Sequence, residues 1–223
     1  MRRRFEARRV GEDGFTLVEL LVSMIIFSIV MALLIGVMIS MTYQAQDVLG
    51  RQRAVEQARL GLSQIDRQIR SGNLILDPGL DGPAVSGVDY NYSLRIYTQE
   101  GGVPKCAQWR VVFYDTSGYG QLEYRTWDPA DTSTSTAWSR VASNVRAPSS
   151  GTIDPADSTT WPPFWLDPSV ASASDAQNIR VTLRLNDPSA RDQAKDQVLT
   201  SVITGRNTVF GYPTTSCAAY PAP

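Results

Sequence analysis

The chain has 223 residues with 21 Lys plus Arg against 22 Asp plus Glu, a formal net charge of −1. That length suits one modest domain with an appendage, and the charge balance does not make nucleic acid an obligatory partner. With no His and only two Cys, His-dependent triads, His-ligated metals and Cys-rich zinc frameworks are excluded, and no catalytic residue, metal or cofactor is expected.

In chain order, residues 1–14 read Met-Arg-Arg-Arg-Phe-Glu-Ala-Arg-Arg-Val-Gly-Glu-Asp-Gly, and their five arginines place this end in the cytoplasm under the positive-inside rule. Apolar residues follow from Phe15 to about Tyr43, and the 27 residues from Leu20 to Gln46 carry no charge. As a helix they reach about 40 Å, enough for the roughly 30 Å hydrocarbon core of a bilayer. A secretory signal would show a small-residue cleavage site after the apolar stretch; here Gly14 precedes it, followed by Phe15 and by Glu19, the lone acid of the segment. A charged side chain at membrane depth costs roughly 2.5–3.5 kcal/mol on insertion scales and calls for a partner. If the chain is cut between Gly14 and Phe15, the new amine supplies that partner one helical turn away, on the same chain or on a neighbour whose axial register it then fixes.

The ordered residues Gly14-Phe15-Thr16-Leu17-Val18-Glu19-Leu20 resemble the type III signal of type IV prepilins and type II secretion pseudopilins. The resemblance implies cleavage after Gly14 by a prepilin peptidase, methylation of the Phe15 amine, and a role for Glu19 in filament assembly. It further implies partnership with other pilins through the helix and with an assembly platform driven by a cytoplasmic ATPase. Many major type IV pilins carry a proline about twenty residues beyond the cut; this chain has Gly36 in that neighbourhood, which reads either as a weak helix breaker or as a close-packing residue.

Beyond the bilayer Val48, Val55, Ala58, Leu62, Ile65 and Ile69 form one apolar stripe at helical spacing, with Arg53, Glu56, Arg59, Asp66 and Arg70 on the other face. Ser71-Gly72 reads as the stop, Gly72 adopting the left-handed conformation of a helix C-terminus. The expected division is a leader over 1–14, a transmembrane half over 15–46, an amphipathic half over 47–71 and a β-rich head over 72–223. Strands are expected at Tyr92–Thr98, Gln108–Tyr114, Gln121–Trp127, Ile179–Leu185 and Val198–Thr204, with a short one near Trp138–Val145. Their alternation predicts an antiparallel sheet covered on one face by the helix, an α+β fold. Asp115–Gly120 reads as a hairpin connection, Asp187–Gln197 as a longer one, and 128–176 as irregular loops.

The order of these pieces, with Trp109-Arg-Val-Val-Phe-Tyr, Leu122-Glu-Tyr-Arg, Arg180-Val-Thr-Leu and Gly205-Arg-Asn, is similar to J-type minor pseudopilins and W-type minor pilins. In that topology Cys106 and Cys217 lie outside the membrane, where they either form a disulfide or stay as two buried thiols. Asp-Pro-Ala-Asp occurs at Asp128–Asp131 and Asp154–Asp157; turn initiation accounts for it, loop carboxylates for Ca²⁺ being the other reading. Trp127, Trp138, Trp161 and Trp165 read as anchors of loops onto the sheet or as an adhesive surface.

The function so implied is structural: a minor pilin or pseudopilin stored in the inner membrane with its head outside, then packed into a pilus or pseudopilus. The alternative is a membrane-anchored binding module, including one for DNA. After Ser71 the chain has nine Arg and two Lys against fifteen acids, so nucleic acid is not expected unless Arg95, Arg110, Arg125, Arg180 and Arg184 share a face.

Overall fold

The structure is a computed structural model describing residues 14–114, 118–168, 176–188 and 196–223. The expected leader arginines, the centre of the Asp115–Gly120 connection and much of the Asp187–Gln197 connection lie outside the described residues. The remainder falls into two compact units divided after Ala45. Helix α1 runs over Leu17–Ser71, 55 residues with no proline.

From Gln46 onward, α1 buries Gly50, Ala54, Ala58, Gly61, Ile65 and Ile69, three or four residues apart. Ala58, Ile65 and Ile69 belong to the stripe read from the sequence, whereas Val55 and Leu62 are half-buried at its side and Val48 is exposed. The correction has a steric cause. Small residues bring the helix backbone close to the sheet: a Cβ on Gly61 would stand 2.9 Å from Leu122 Cδ2 and 3.4 Å from Leu183 Cδ1. At such positions the larger Val48, Val55 and Leu62 would hold the two layers apart.

Strands β1 (Gly72–Ile75), β2 (Ser93–Glu100), β3 (Val103–Val112), β4 (Tyr119–Trp127), β5 (Ser139–Arg146), β6 (Phe164–Trp165), β7 (Asn178–Leu185) and β8 (Gln197–Thr204) form one antiparallel sheet. The order is β1-β2-β3-β4-β5-β7, with β6 and β8 also pairing with β7. Together with α1 they make the expected α+β fold. Each segment read as a strand overlaps one, with Tyr92, Phe113, Tyr114 and Trp138 falling just outside, and β1, β6 and a one-turn helix α2 (Pro83–Ser86) are additional. The β3 strand begins earlier than expected because Gly101 and Gly102, both at positive φ, form a two-residue hairpin turn that pairs Glu100 with Val103. Gly72 is not left-handed: it is buried and starts β1 directly. A Cβ there would lie 2.7 Å from Ile96 Cγ2, so glycine serves close approach rather than helix termination.

Between α1 and the sheet, Leu94, Ile96, Trp109, Val111, Leu122, Leu183 and Ile203 are fully buried with Ile65 and Ile69. Each such side chain contributes about 1.5–3 kcal/mol by leaving water. Gln68 bridges this layer: the Trp109 indole Nε1 donates to Gln68 Oε1 at 2.8 Å, and Gln68 Nε2 donates to the Tyr124 hydroxyl at 2.6 Å; further along α1, Gln57 Oε1 accepts from Ser143 N–H at 3.2 Å.

At the β1 border the peptide of Ile75 is occupied by a side chain. Its N–H donates to Gln177 Oε1 at 2.8 Å and its carbonyl accepts from Gln177 Nε2 at 2.9 Å, so the Gln177 amide imitates a neighbouring strand. The 3-10 turn Thr208–Phe210 packs beside it.

Candidate functional site

At the head of α1, Thr16 takes the N-cap position. Its carbonyl accepts the first helical bond, from Leu20 N–H at 3.2 Å, and its Oγ1 accepts from Glu19 N–H at 3.2 Å. Thr16-Leu17-Val18-Glu19 thus has the Thr-x-x-Glu spacing of a capping box. Phe15 stands just outside the helix, 80% exposed, and Glu19 lies in the first turn, where the positive end of the helix dipole favours a carboxylate. Sequence reading saw Glu19 as an isolated acid and missed Thr16 as its cap, although the spacing was there to be found.

From Leu17 to Tyr43 every large apolar side chain is exposed. The hydroxyls of Ser23, Ser28 and Thr42 fold back onto the carbonyls of Glu19, Met24 and Met38 at 2.7, 2.7 and 2.9 Å, so these polar groups need no water. The helix is long and apolar enough to cross a membrane, and nothing lies within 4 Å of a Cβ placed on Gly36. A family profile described as the prokaryotic N-terminal methylation motif matches residues 10–35. This match, confined to the N-terminal segment, supports a place in the type IV prepilin and pseudopilin family. No curated protein and no solved structure matches it. The N-terminus of this chain therefore combines a capped, acid-bearing first turn with an apolar helix of membrane-spanning length.

Elsewhere in the chain the expected residues are placed as follows. Cys106, on the sheet face away from α1, is disulfide-bonded to Cys217 with a Cα–Cα separation of 5.8 Å. This bond fastens the tail along the outer side of β3. Arg95, Arg110 and Arg125 lie on that same face, where cross-strand register sets Gln108 between Arg95 and Arg125 and Glu123 against Arg110. All three are buried. Arg95 pairs with Asp81 (Nε–Oδ2 2.7 Å) and donates to the Cys217 carbonyl at 2.7 Å; Arg110 pairs with Glu123 at 2.9 Å. Arg125 donates to Gln108 Oε1 and to the carbonyls of Pro221 and Ala222. Burial first, and the Arg110 charge second, draw the Arg125 guanidinium down to about 10. Burial likewise raises the Asp81 carboxyl above the usual carboxylate range, with Arg95 only partly opposing it.

Arg180 and Arg184 do not join this cluster. Arg180 pairs with Asp167 at 2.6 Å, and Arg184 donates to the carbonyls of Ser158 and Thr159. The five arginines are engaged by internal acceptors rather than assembled into an exposed basic face.

The tryptophans serve as anchors. Trp127 is buried beside the disulfide, Trp138 stacks under Arg110 and Arg125 (3.8 and 4.2 Å to the ring), and Trp161 lies under Arg180 at 3.9 Å.

The two Asp-Pro-Ala-Asp stretches extend into matching seven-residue turns, 128–134 and 154–160. In each the first Asp accepts from the Ala N–H (2.8 and 2.9 Å), and the second Asp caps a 3-10 turn. Thr134 and Thr160 close the loops onto Asp128 N–H and Asp154 N–H. The Ser133 hydroxyl and N–H hold Asp131 below its ordinary pKa, and the Thr159 N–H and hydroxyl do the same for Asp157. These carboxylates build turns, as Asx geometry requires.

Proposed function

We propose that this chain is a minor pilin or pseudopilin, a structural subunit cleaved after Gly14, methylated at the Phe15 amine, and assembled through α1 into a type IV pilus or type II secretion pseudopilus. The observation that carries the reading is the placement of Phe15 and Glu19 around the Thr16 cap. Cleavage leaves the new amine immediately before the first helical turn, and Glu19 occupies that turn. The carboxylate then meets a cation on its own or an adjacent chain, which neutralises a charge otherwise costly among apolar helices. Before assembly the apolar half of α1 holds the precursor in the inner membrane, arginine-rich end inside and head outside.

The subunit performs no chemistry in this scheme. It is the substrate of the prepilin peptidase and the cargo of an assembly platform with its ATPase, and it contacts membrane lipids and other pilins through the helix. A head of this size and a tail fastened across it support a minor rather than a major role. The reading as an anchored DNA-binding module loses its basis, because Arg95, Arg110, Arg125, Arg180 and Arg184 already hold internal acceptors.

The intact mass of protein extracted from membranes of a host with an active prepilin peptidase tests the proposal. A chain beginning with N-methylated Phe15 is the expected result. Retention of Met1, or a cut after Tyr43, refutes it.

A further inference from the structure

On the sheet face away from α1, Arg95, Arg110 and Arg125 are all buried, but they are not compensated alike. Arg95 presents Nε and Nη2 to the two oxygens of Asp81, and Arg110 Nε donates to Glu123 Oε2 at 2.9 Å. Among the described residues Arg125 has no carboxylate partner. Its Nε and Nη2 share Gln108 Oε1 at 2.9 and 2.8 Å, and its outer edge takes two main-chain oxygens. There Nη1 donates to the Ala222 carbonyl at 2.7 Å and Nη2 to the Pro221 carbonyl at 3.2 Å. Hydrogen bonds to an ionised acceptor are roughly twice as strong as those to a neutral one, so this buried cation is held by the weaker kind.

Two parallel N–H groups of a guanidinium match the two oxygens of one carboxylate. At the Nη1–Nη2 edge of Arg125 the carbonyls of Pro221 and Ala222 stand where those two oxygens would sit. The Trp138 ring stacks on the guanidinium groups of Arg125 and Arg110, 4.2 and 3.8 Å away, and fixes the plane of the fork. The segment that covers the edge is lightly attached. Beyond Ala218 it makes no backbone–backbone hydrogen bond among the described residues. Ala219, Tyr220, Ala222 and Pro223 are exposed, and the Tyr220 ring rests 5.5 Å from the Arg95 guanidinium carbon.

We propose that residues 219–223 are a displaceable strap over a carboxylate-binding site at Arg125, and that an Asp or Glu side chain of an acidic peptide segment takes the place of the two carbonyls. The exchange replaces two neutral acceptors with one ionised acceptor in bidentate geometry. Because the disulfide holds Cys217, the strap lifts without releasing the Cys217 carbonyl from Arg95. Arg95, Arg110 and Arg125 outnumber Asp81 and Glu123 on this face, whereas the chain after Ser71 has more acids than bases. An acidic segment is therefore attracted at this place and repelled by the rest of the head.

The test uses the full chain in a mild uncharged detergent at low salt, with dye-labelled hexaglutamate and hexaglutamine peptides followed by fluorescence anisotropy. Hexaglutamate is expected to bind and hexaglutamine is not. Arg125→Lys keeps the charge but not the fork and is expected to weaken hexaglutamate binding at least several-fold. Tyr220→Ala loosens the strap and is expected to tighten it. A spin label on Ala222→Cys is expected to gain mobility when hexaglutamate is added and to keep its spectrum with hexaglutamine. Equal binding of the two peptides overturns the proposal, as does no binding of either. So does a label that stays immobile at saturating hexaglutamate, or a folded Arg125→Lys protein that binds as well as the unmodified chain. If Arg125→Lys does not fold, the Tyr220→Ala variant decides: binding no tighter than in the unmodified chain overturns the strap.

Discussion

The indole N–H of Trp109 reaches across the helix–sheet layer to the side-chain oxygen of Gln68, 2.8 Å away. Trp109 has no exposed surface, so this donor has no access to water. Gln68→Leu is expected to keep the apolar volume and strand the indole N–H, costing about 1–3 kcal/mol. Chemical unfolding followed by tryptophan fluorescence measures the loss, and an unchanged midpoint contradicts it.

Gly61 lies where α1 packs closely on the sheet, and two effects oppose each other there. Alanine gains about 1 kcal/mol of helix propensity over glycine. Its Cβ meets the mobile end of Leu122 at 2.9 Å, which can yield, so Gly61→Ala is expected to be nearly neutral. Gly61→Val adds methyl groups that cannot be absorbed and is expected to lose about 1–3 kcal/mol. The ordering of these two variants in thermal unfolding is the check.

The bond from Cys106 to Cys217 closes a separation of 111 residues, for which chain entropy gives an upper figure of about 4–5 kcal/mol. Cys217→Ser is expected to lower stability by up to that amount and to abolish the mobility difference between reduced and non-reduced gels. Because the Cys217 carbonyl also holds Arg95, proteolysis of the released tail is expected to accelerate.

Burial first, and the Asp89 charge second, push the Tyr92 phenol up to about 12 from an ordinary value near 10. A neutral phenol in the folded state that ionises more readily in the unfolded one stabilises the fold. That contribution is complete below pH 10 and is lost as pH rises toward 12. Tyr92→Phe keeps the edge-on contact with Phe113 and is expected to remove this alkaline limb. Stability measured from pH 8 to 12 in both proteins shows whether their curves converge.

Glu19→Ala removes the first-turn carboxylate and leaves the apolar run intact. Membrane insertion is expected to be unchanged while recovery in sheared filaments falls at least several-fold. Equal recovery argues against a role for Glu19 in register.

The N-terminal motif and the strands were legible because period and spacing carry them: Gly14 to Leu20 in order, and alternation in Tyr92–Thr98 and Arg180–Leu185. The seam of α1 was not, because hydrophobic periodicity looks for bulk, and contact here is made at Gly50, Ala54 and Gly61. Small residues at helical spacing were the available signal. The arginines of β2, β3 and β4 looked like a candidate basic face, since nothing local foretells that the residues after Cys217 return to cover them. The Asp-Pro repeats were seen as four residues; Thr134 and Thr160, three positions further on, complete them.

At Ile75 the sheet's hydrogen-bonding capacity is met by the amide of Gln177. A neighbouring strand could reach that peptide only by displacing Gln177, so at Ile75 the border is closed to lengthening of the sheet by another chain.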